Sequence, residues 1–180
     1  MLAGDWDGRR VAVKIYKPTA VLRHARKHAV PLPRYEHERN LAFFRAPGLA
    51  PHVAEPLAFI DEPGVSALVQ ERLDGELYYF RFLGRGRLPE PALVEQLGRI
   101  VRLAHEAGLY DVDLHAMNVM VVEGAEGPVA RLFDFNLIPF HVRPPNPWMA
   151  LMLRTGLMDS RARDLRKLER FHDFGRVERK

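Results

Sequence analysis

The sequence predicts an α+β chain in two parts. Residues 1–75 form a small, mostly antiparallel sheet with one crossing helix, and residues 76–180 form a short, mainly helical lobe built around one hairpin. Three observations predict this. Residues 1–75 read strand, strand, helix, strand, strand, with Gly and Pro turn signals between them. Residues 89–107 carry the most regular helical apolar period in the chain. Behind them come two β-branched runs, 119–122 and 129–133, on either side of a Gly-containing turn. With 180 residues and 47% hydrophobic content, the chain can bury a core as one domain or as two small lobes around a cleft.

Asp7-Gly8 is a hairpin turn, because both residues tolerate positive φ, and it joins a first strand to Val11-Ala-Val13-Lys14-Ile15-Tyr16. Pro18 ends that strand. Residues 19–30 make a basic, marginal helix that Pro31 and Pro33 interrupt. Residues 35–45 make a better one. Leu41 and Ala42 lie three and four positions beyond Glu38, which puts Glu38 on the inward face, where it needs a cation; Lys14 is the candidate. Residues 53–60 and 65–73 are strands, turned by Asp61-Glu-Pro-Gly64 and ended by Asp74-Gly75.

Aromatic and basic residues then mix from Glu76 to Gly86, as packing between the two parts or as a surface for a sugar or base. The helix over 89–107 has Pro91 in its first turn and an apolar stripe of Leu93, Leu97, Ile100, Val101 and Ala104, with Gly108 as its stop. It delivers the chain to Asp111-Val-Asp113-Leu114-His115-Ala-Met-Asn118. The hairpin follows, with Asn118 at its entrance and Asp134 at its exit. Arg143-Pro-Pro-Asn-Pro147 is a rigid link, 148–158 an apolar helix, and 160–177 a basic amphipathic helix with a Leu165, Leu168, Phe171 stripe.

Composition removes several classes. The chain has no cysteine, so disulfides, thiolate nucleophiles and Cys-ligated zinc are excluded, and a reducing cytoplasmic setting is allowed. Met1 to Trp6 has neither the basic start nor the apolar run of a signal peptide, and the strongest apolar run, 148–153, is too short to span a bilayer. Formal charge is +4, with seven Lys or Arg and no acid between Arg9 and Lys27. Without a recognisable nucleic-acid module, this favours a nucleotide, an anionic acceptor or peripheral contact with an anionic membrane surface, here the inner face, or else a merely solvated basic face.

The chemistry-bearing residues are two acids and an amide. Asp113 is placed to accept the proton of an acceptor hydroxyl or to orient it. Asn118 and Asp134 offer the hard oxygens that Mg²⁺ takes alongside waters and phosphates. Asp111, two residues before Asp113, would point the same way on a strand-like backbone; with His115 it is a candidate substrate contact.

Val-Ala-Val-Lys14, Asp113-Leu-His-Ala-Met-Asn118 and Phe133-Asp134-Phe135, in that order, resemble the protein-kinase-like superfamily over Gly4 to Phe140. The Asp-Leu-His loop and the short ending look most like bacterial lipopolysaccharide core (Kdo/heptose) kinases and small-molecule phosphotransferases. The resemblance implies a two-lobed fold and use of ATP and Mg²⁺. It implies that Lys14 binds the α/β-phosphates with Glu38 as its anchor, that Asp113 is catalytic, and that Asn118 and Asp134 hold the metal. It also implies that a hinge at residues 70–73 touches adenine through backbone groups of Glu71 and Leu73, and that the acceptor is a sugar or glycolipid hydroxyl.

Three departures from the family pattern stand out. Gly4 and Gly8 do not spell the Gly-rich phosphate loop, so the N-lobe reads as truncated there. Asp111 replaces the usual His, and Asp134-Phe-Asn136 replaces Asp-Phe-Gly. The first departure keeps a second class open, a pseudokinase or nucleotide-binding regulatory module. A serine/threonine protein-kinase-like enzyme and a plain interaction domain are further alternatives.

Overall fold

Asp7 and Gly8 take φ of 51° and 74° and turn β1 (Leu2–Trp6) directly onto β2 (Arg9–Ile15). Two successive left-handed residues give the hairpin turn whose twist matches that of paired strands. In this computed structural model, residues 1–26, 30–134, 138–139, 147–155 and 159–173 are described. Asn136 and most of the Pro-rich link lie outside that set, as do Met158 and residues 174–177 of the two expected C-terminal helices.

After β2 come α1 (Pro18–Ala25), shorter than its periodicity implied, and α2 (Leu32–Arg45). Pro33 sits in the first turn of α2, where its missing N–H costs nothing, so it helps start this helix instead of only ending the one before. β3 (Pro56–Glu62) and β4 (Val65–Glu71) are joined at Pro63 and Gly64, the latter at φ 87°. The sheet order is β1-β2-β4-β3, antiparallel throughout.

The remainder comprises β5 (Glu76–Leu77), α3 (Tyr78–Arg81), α4 (Pro91–Glu106), β6 (Leu109–Tyr110), β7 (Val119–Gly124), β8 (Gly127–Leu132), β9 (Ile138–Pro139), α5 (Pro147–Arg154) and α6 (Ser160–Asp173). β5, β7 and β8 form an antiparallel sheet, and β6 pairs with β9. The chain is therefore a mixed α+β structure. No described helix is long and apolar enough to cross a membrane.

The principal core is built on α4. Leu93, Leu97, Ile100, Val101 and Ala104 are fully buried against Val119, Val121, Ala130 and Leu132 of the hairpin, with Tyr78 and Phe171 closing one end edge to face at 5.0 Å. Each such large side chain contributes about 1.5–3 kcal/mol on burial. Phe43 of α2 and Val53 before β3 enter the same cluster, so the two halves of the chain share packing.

The halves are also joined by polar contacts. The Ala54 N–H donates to the Leu132 carbonyl at 3.0 Å, and Arg131 of β8 grips Glu71 of β4 with two bonds of 2.6 and 2.8 Å. Gly75 lies so close to β7 that a Cβ there would stand 2.3 Å from the Val121 carbonyl oxygen.

On α6 the expected stripe is only partly the buried one. Leu165 is 47% exposed, whereas Asp164 is fully buried beside Leu168 and Phe171. The inward face is set one residue back, because Asp164 has a partner in the core that outweighs the apolar gain of burying Leu165.

Candidate functional site

Gly108, at φ 73°, ends α4, and the chain passes through β6 into the loop from Asp111 to Asn118. Asp111 and Asp113 both adopt left-handed backbone, φ 62° and 51°. That conformation costs an L-residue about 1–2 kcal/mol, least for Asp and Asn. The strand-like backbone expected for this pair is thus corrected, although both carboxylates come within 3.9 Å of one ammonium, Lys167 Nζ.

Asp111 is buried, 3.3 Å from Arg163 Nη1 and 3.9 Å from Lys167 Nζ. Burial pushes its carboxyl above the ordinary range, and Asp164 and Asp113 push the same way against the pull of Arg163 and Lys167. Asp111 is thus bound to the cations of α6 and is not among the residues lining the cavity beside it. Asp113 opens instead onto that cavity, with Lys167 Nζ 2.6 Å from its Oδ1.

The loop is held from below by Asp164 of α6. Its carboxylate accepts the N–H of Asp111 at 2.9 Å and of Val112 at 3.0 Å, and lies 3.0 Å from His105 Nε2. Those bonds satisfy the backbone donors that the left-handed turn leaves without a strand partner.

Asn118 knits the loop to the hairpin exit. Its N–H donates to the His115 carbonyl at 2.7 Å and its carbonyl accepts from Phe133 N–H at 3.1 Å. Its side-chain Nδ2 lies 3.3 Å from the Asp113 carbonyl and 3.4 Å from the Asp134 carbonyl. With Nδ2 donating, the amide oxygen remains as an acceptor. Asp134, at φ 59°, reaches across to the N-terminal sheet, where Lys14 Nζ lies 2.5 Å from its Oδ1.

Lys14 is therefore brought to Asp134, but its partner on α2 is Glu36, at 2.8 Å, not Glu38. Glu38 bonds Arg34 one turn back on the exposed side. The correction has a plain cause: Pro33, Arg39, Asn40 and Phe43 mark the buried face of α2, and Glu36 lies on that line, whereas Leu41 and Ala42 are only partly covered. Tyr16 OH also donates to Glu36, at 2.6 Å. Burial opposes the charge on Lys14, yet Glu36 and Asp134 outweigh it and hold the amine above its ordinary value.

Two cavities flank this constellation. One, of about 230 Å³, lies between the sheet and the hairpin, lined by Ala12, Glu71, Leu73, Met120 and Phe133. The Glu71 N–H is donated to the Glu55 carbonyl at 2.8 Å and its side chain is committed to Arg131, so neither is open to a ligand in that cavity. The other, of about 600 Å³, lies beyond Asp113, among His115, Met117, the 83–87 turn and α6. His115 Nδ1 accepts the Met117 N–H at 3.1 Å, so the neutral ring carries its proton on Nε2.

The donor set of Asn118 and Asp134, one amide oxygen and one carboxylate, suits Mg²⁺ in the presence of phosphates. No cluster of three acidic or His side chains that would hold a metal unaided occurs among the described residues. Glu36, Lys167 and Asp164 are the site residues that sequence reasoning passed over. Asp164 had a legible signal: it precedes Leu168 and Phe171 by four and seven positions, the spacing of a helix face. No known protein-family model matches the chain, and no curated protein matches it.

Proposed function

We propose that the chain is an ATP- and Mg²⁺-dependent phosphotransferase with a protein-kinase-like, two-lobed fold, acting on a hydroxyl of a sugar-containing, non-protein acceptor such as a glycolipid core. One observation carries this reading. The Lys14 ammonium is held between Glu36 of α2 and Asp134, while the Asn118 amide ties Asp134 to the Asp113 loop. Three side chains distant in sequence thus meet, with Asn118 bonded to the Asp134 main chain; one cavity, sized for part of a base, opens at the adjacent Phe133, and the other, sized for an acceptor, at Asp113.

Lys14 would bind phosphate oxygens, and Glu36 keeps it extended for that task. Asn118 and Asp134 would hold Mg²⁺, which when bound neutralises charge on the phosphates. The acceptor hydroxyl oxygen forms the new bond to the γ-phosphorus as the bond to the ADP oxygen breaks, and Asp113 takes the hydroxyl proton. Ala12, Met120 and Leu73 would sandwich the base.

The test is thermal stabilisation by ATP with and without Mg²⁺. A bound nucleotide at one hundred times its Kd adds about 2.7 kcal/mol. The expected result is an Mg²⁺-dependent rise in Tm that Asp134→Ala abolishes; a rise absent in the parent protein refutes the reading.

A second reading has its own observation. The turn that leads into the Lys14 strand is the two-residue Asp7-Gly8 hairpin, and it supplies no phosphate cradle of its own. A nucleotide-binding regulatory module would show the stabilisation without phosphoryl transfer, and a turnover assay over a panel of sugar acceptors separates the two. Peripheral membrane contact is tested by flotation with anionic liposomes, where absence of binding removes it.

A further inference from the structure

The cavity beyond Asp113 is chemically one-sided. Asp113 is the one carboxylate among its lining residues, against Arg87, Lys167 and Arg170. Lys167 is already bound to Asp113. Arg87 and Arg170 make no ion pair among the described residues, although their neighbours do: Arg81 binds Glu90 and Glu123, and Arg85 binds Glu76.

The backbone that carries each of the two arginines is fixed. The Arg87 N–H donates to the carbonyl of buried Phe82 at 2.9 Å, just after Gly86 turns the chain at φ 60°. Arg170 is three positions beyond Lys167 on the same face of α6, next to Phe171, which is 3% exposed. Two guanidiniums carried on fixed backbone beside a carboxylate that is otherwise neutralised make a receptor for a carboxylate or phosphate.

Resting on the phosphotransfer reading, we infer that this cavity takes an anionic acceptor: Arg87 and Arg170 grip its carboxylate or phosphate while its hydroxyl meets Asp113. His115, with its proton on Nε2, adds a donor on the same wall. Tyr79 and Leu83 give an apolar surface for a sugar ring, and the volume of about 600 Å³ is that of a small-molecule site. Polycationic amino sugars are repelled by the same charges. The selectivity is therefore for a phosphorylated sugar or a sugar acid over its neutral parent.

The experiment titrates the ¹⁵N-labelled chain with glucose 6-phosphate, glucuronate and glucose and follows amide shifts. Saturable shifts are expected at residues 83–87 and 115–118 for one or both anionic sugars, which tells phosphate from carboxylate. Their binding should be about tenfold tighter than that of glucose and weaken with salt. Arg87→Gln with Arg170→Gln should remove that advantage, while Arg→Lys at both keeps part of it, and Mg²⁺-ATP affinity should not change in either. Glucose binding as tightly as both anions, shifts mapping elsewhere, or a Gln double variant that still prefers the anions would each overturn the inference. If anionic sugars bind here and Mg²⁺-ATP does not bind at all, the phosphotransfer reading falls while the anion site stands. If Mg²⁺-ATP binds and the sugars show no charge preference, the reverse holds.

Discussion

Asp164→Asn is the perturbation that tests how the Asp111–Asp113 loop is held. The carboxylate is fully buried and accepts two backbone N–H groups at 2.9 and 3.0 Å. A hydrogen bond to a charged group contributes about 1.5–3 kcal/mol, and a buried donor left without a partner costs about 1–3 kcal/mol. The amide keeps the shape, so one N–H still finds an oxygen, while the other meets an NH₂. That sums to about 3 kcal/mol for Asn and somewhat more for Ala, which strands both donors. Against a total stability of about 5–15 kcal/mol this is a large fraction. With a urea m-value of about 1–3 kcal/mol/M, the unfolding midpoint should fall by about 1–3 M. Glu169→Gln, exposed on the same helix, is the control and should leave the midpoint unchanged. Equal midpoints for Asp164→Asn, Asp164→Ala and the control would refute the claim that Asp164 imposes the left-handed loop.

Glu36→Gln should cost about 1–2 kcal/mol in urea unfolding, because the half-buried Lys14 keeps only Asp134, whereas Glu38→Gln should cost less than about 0.5 kcal/mol; the opposite ranking would restore the pairing expected from sequence. Gly75→Ala should lower Tm by several degrees, since a Cβ 2.3 Å from the Val121 carbonyl cannot be relieved by a side-chain rotation and overpacking of this kind costs about 1–3 kcal/mol. Burial alone would raise the Glu71 carboxyl, but the bidentate Arg131 outweighs it and holds the group below its ordinary value. The contribution of Glu71 is therefore present above that ordinary value and lost as pH falls through the lower folded one. Urea curves should show a parent-minus-Glu71→Gln difference that is constant from about pH 7 to 5.5 and shrinks toward pH 3; a difference that grows on acidification would reverse the sign.

Much of the fold was readable because its signals are local. Asp7-Gly8 specifies its turn by the φ values the two residues tolerate, and the stripe of α4 specifies its buried face by period alone. The placement of Asn118 and Asp134 at the two ends of a hairpin was also readable, since the hairpin itself fixes their proximity. Partner choice was not. Glu36 and Glu38 are two residues apart, and which one faces Lys14 depends on where α2 docks, a matter decided by Phe43 entering the core of the other half. Asp164 was hidden for a related reason. A buried carboxylate looks like a surface charge until the backbone donors it serves are known, and those arise from the left-handed turns at Asp111 and Asp113 that no propensity specifies.

The same logic revises what the basic charge is for. In sequence the Arg9–Lys27 and post-Arg161 clusters read as faces for an anionic partner. In the structure Arg9, Arg10 and Lys14 are bound to Glu55, Asp74 and the Glu36–Asp134 pair. On α6, Arg163 and Lys167 neutralise Asp111 and Asp113, and Arg161 bonds Tyr110 OH at 2.6 Å. Apart from Arg161, these cations are counter-charges to acids that the sequence places far away. A sum over residues counts them as free charge, although each is already spent on a contact within the chain. What remains to attract an anion is decided by the unpaired cations and where they sit, and Arg87 and Arg170 sit on the wall of the cavity that Asp113 faces. Those two guanidiniums stand beside a carboxylate in a cavity, which is the arrangement a small anionic substrate requires.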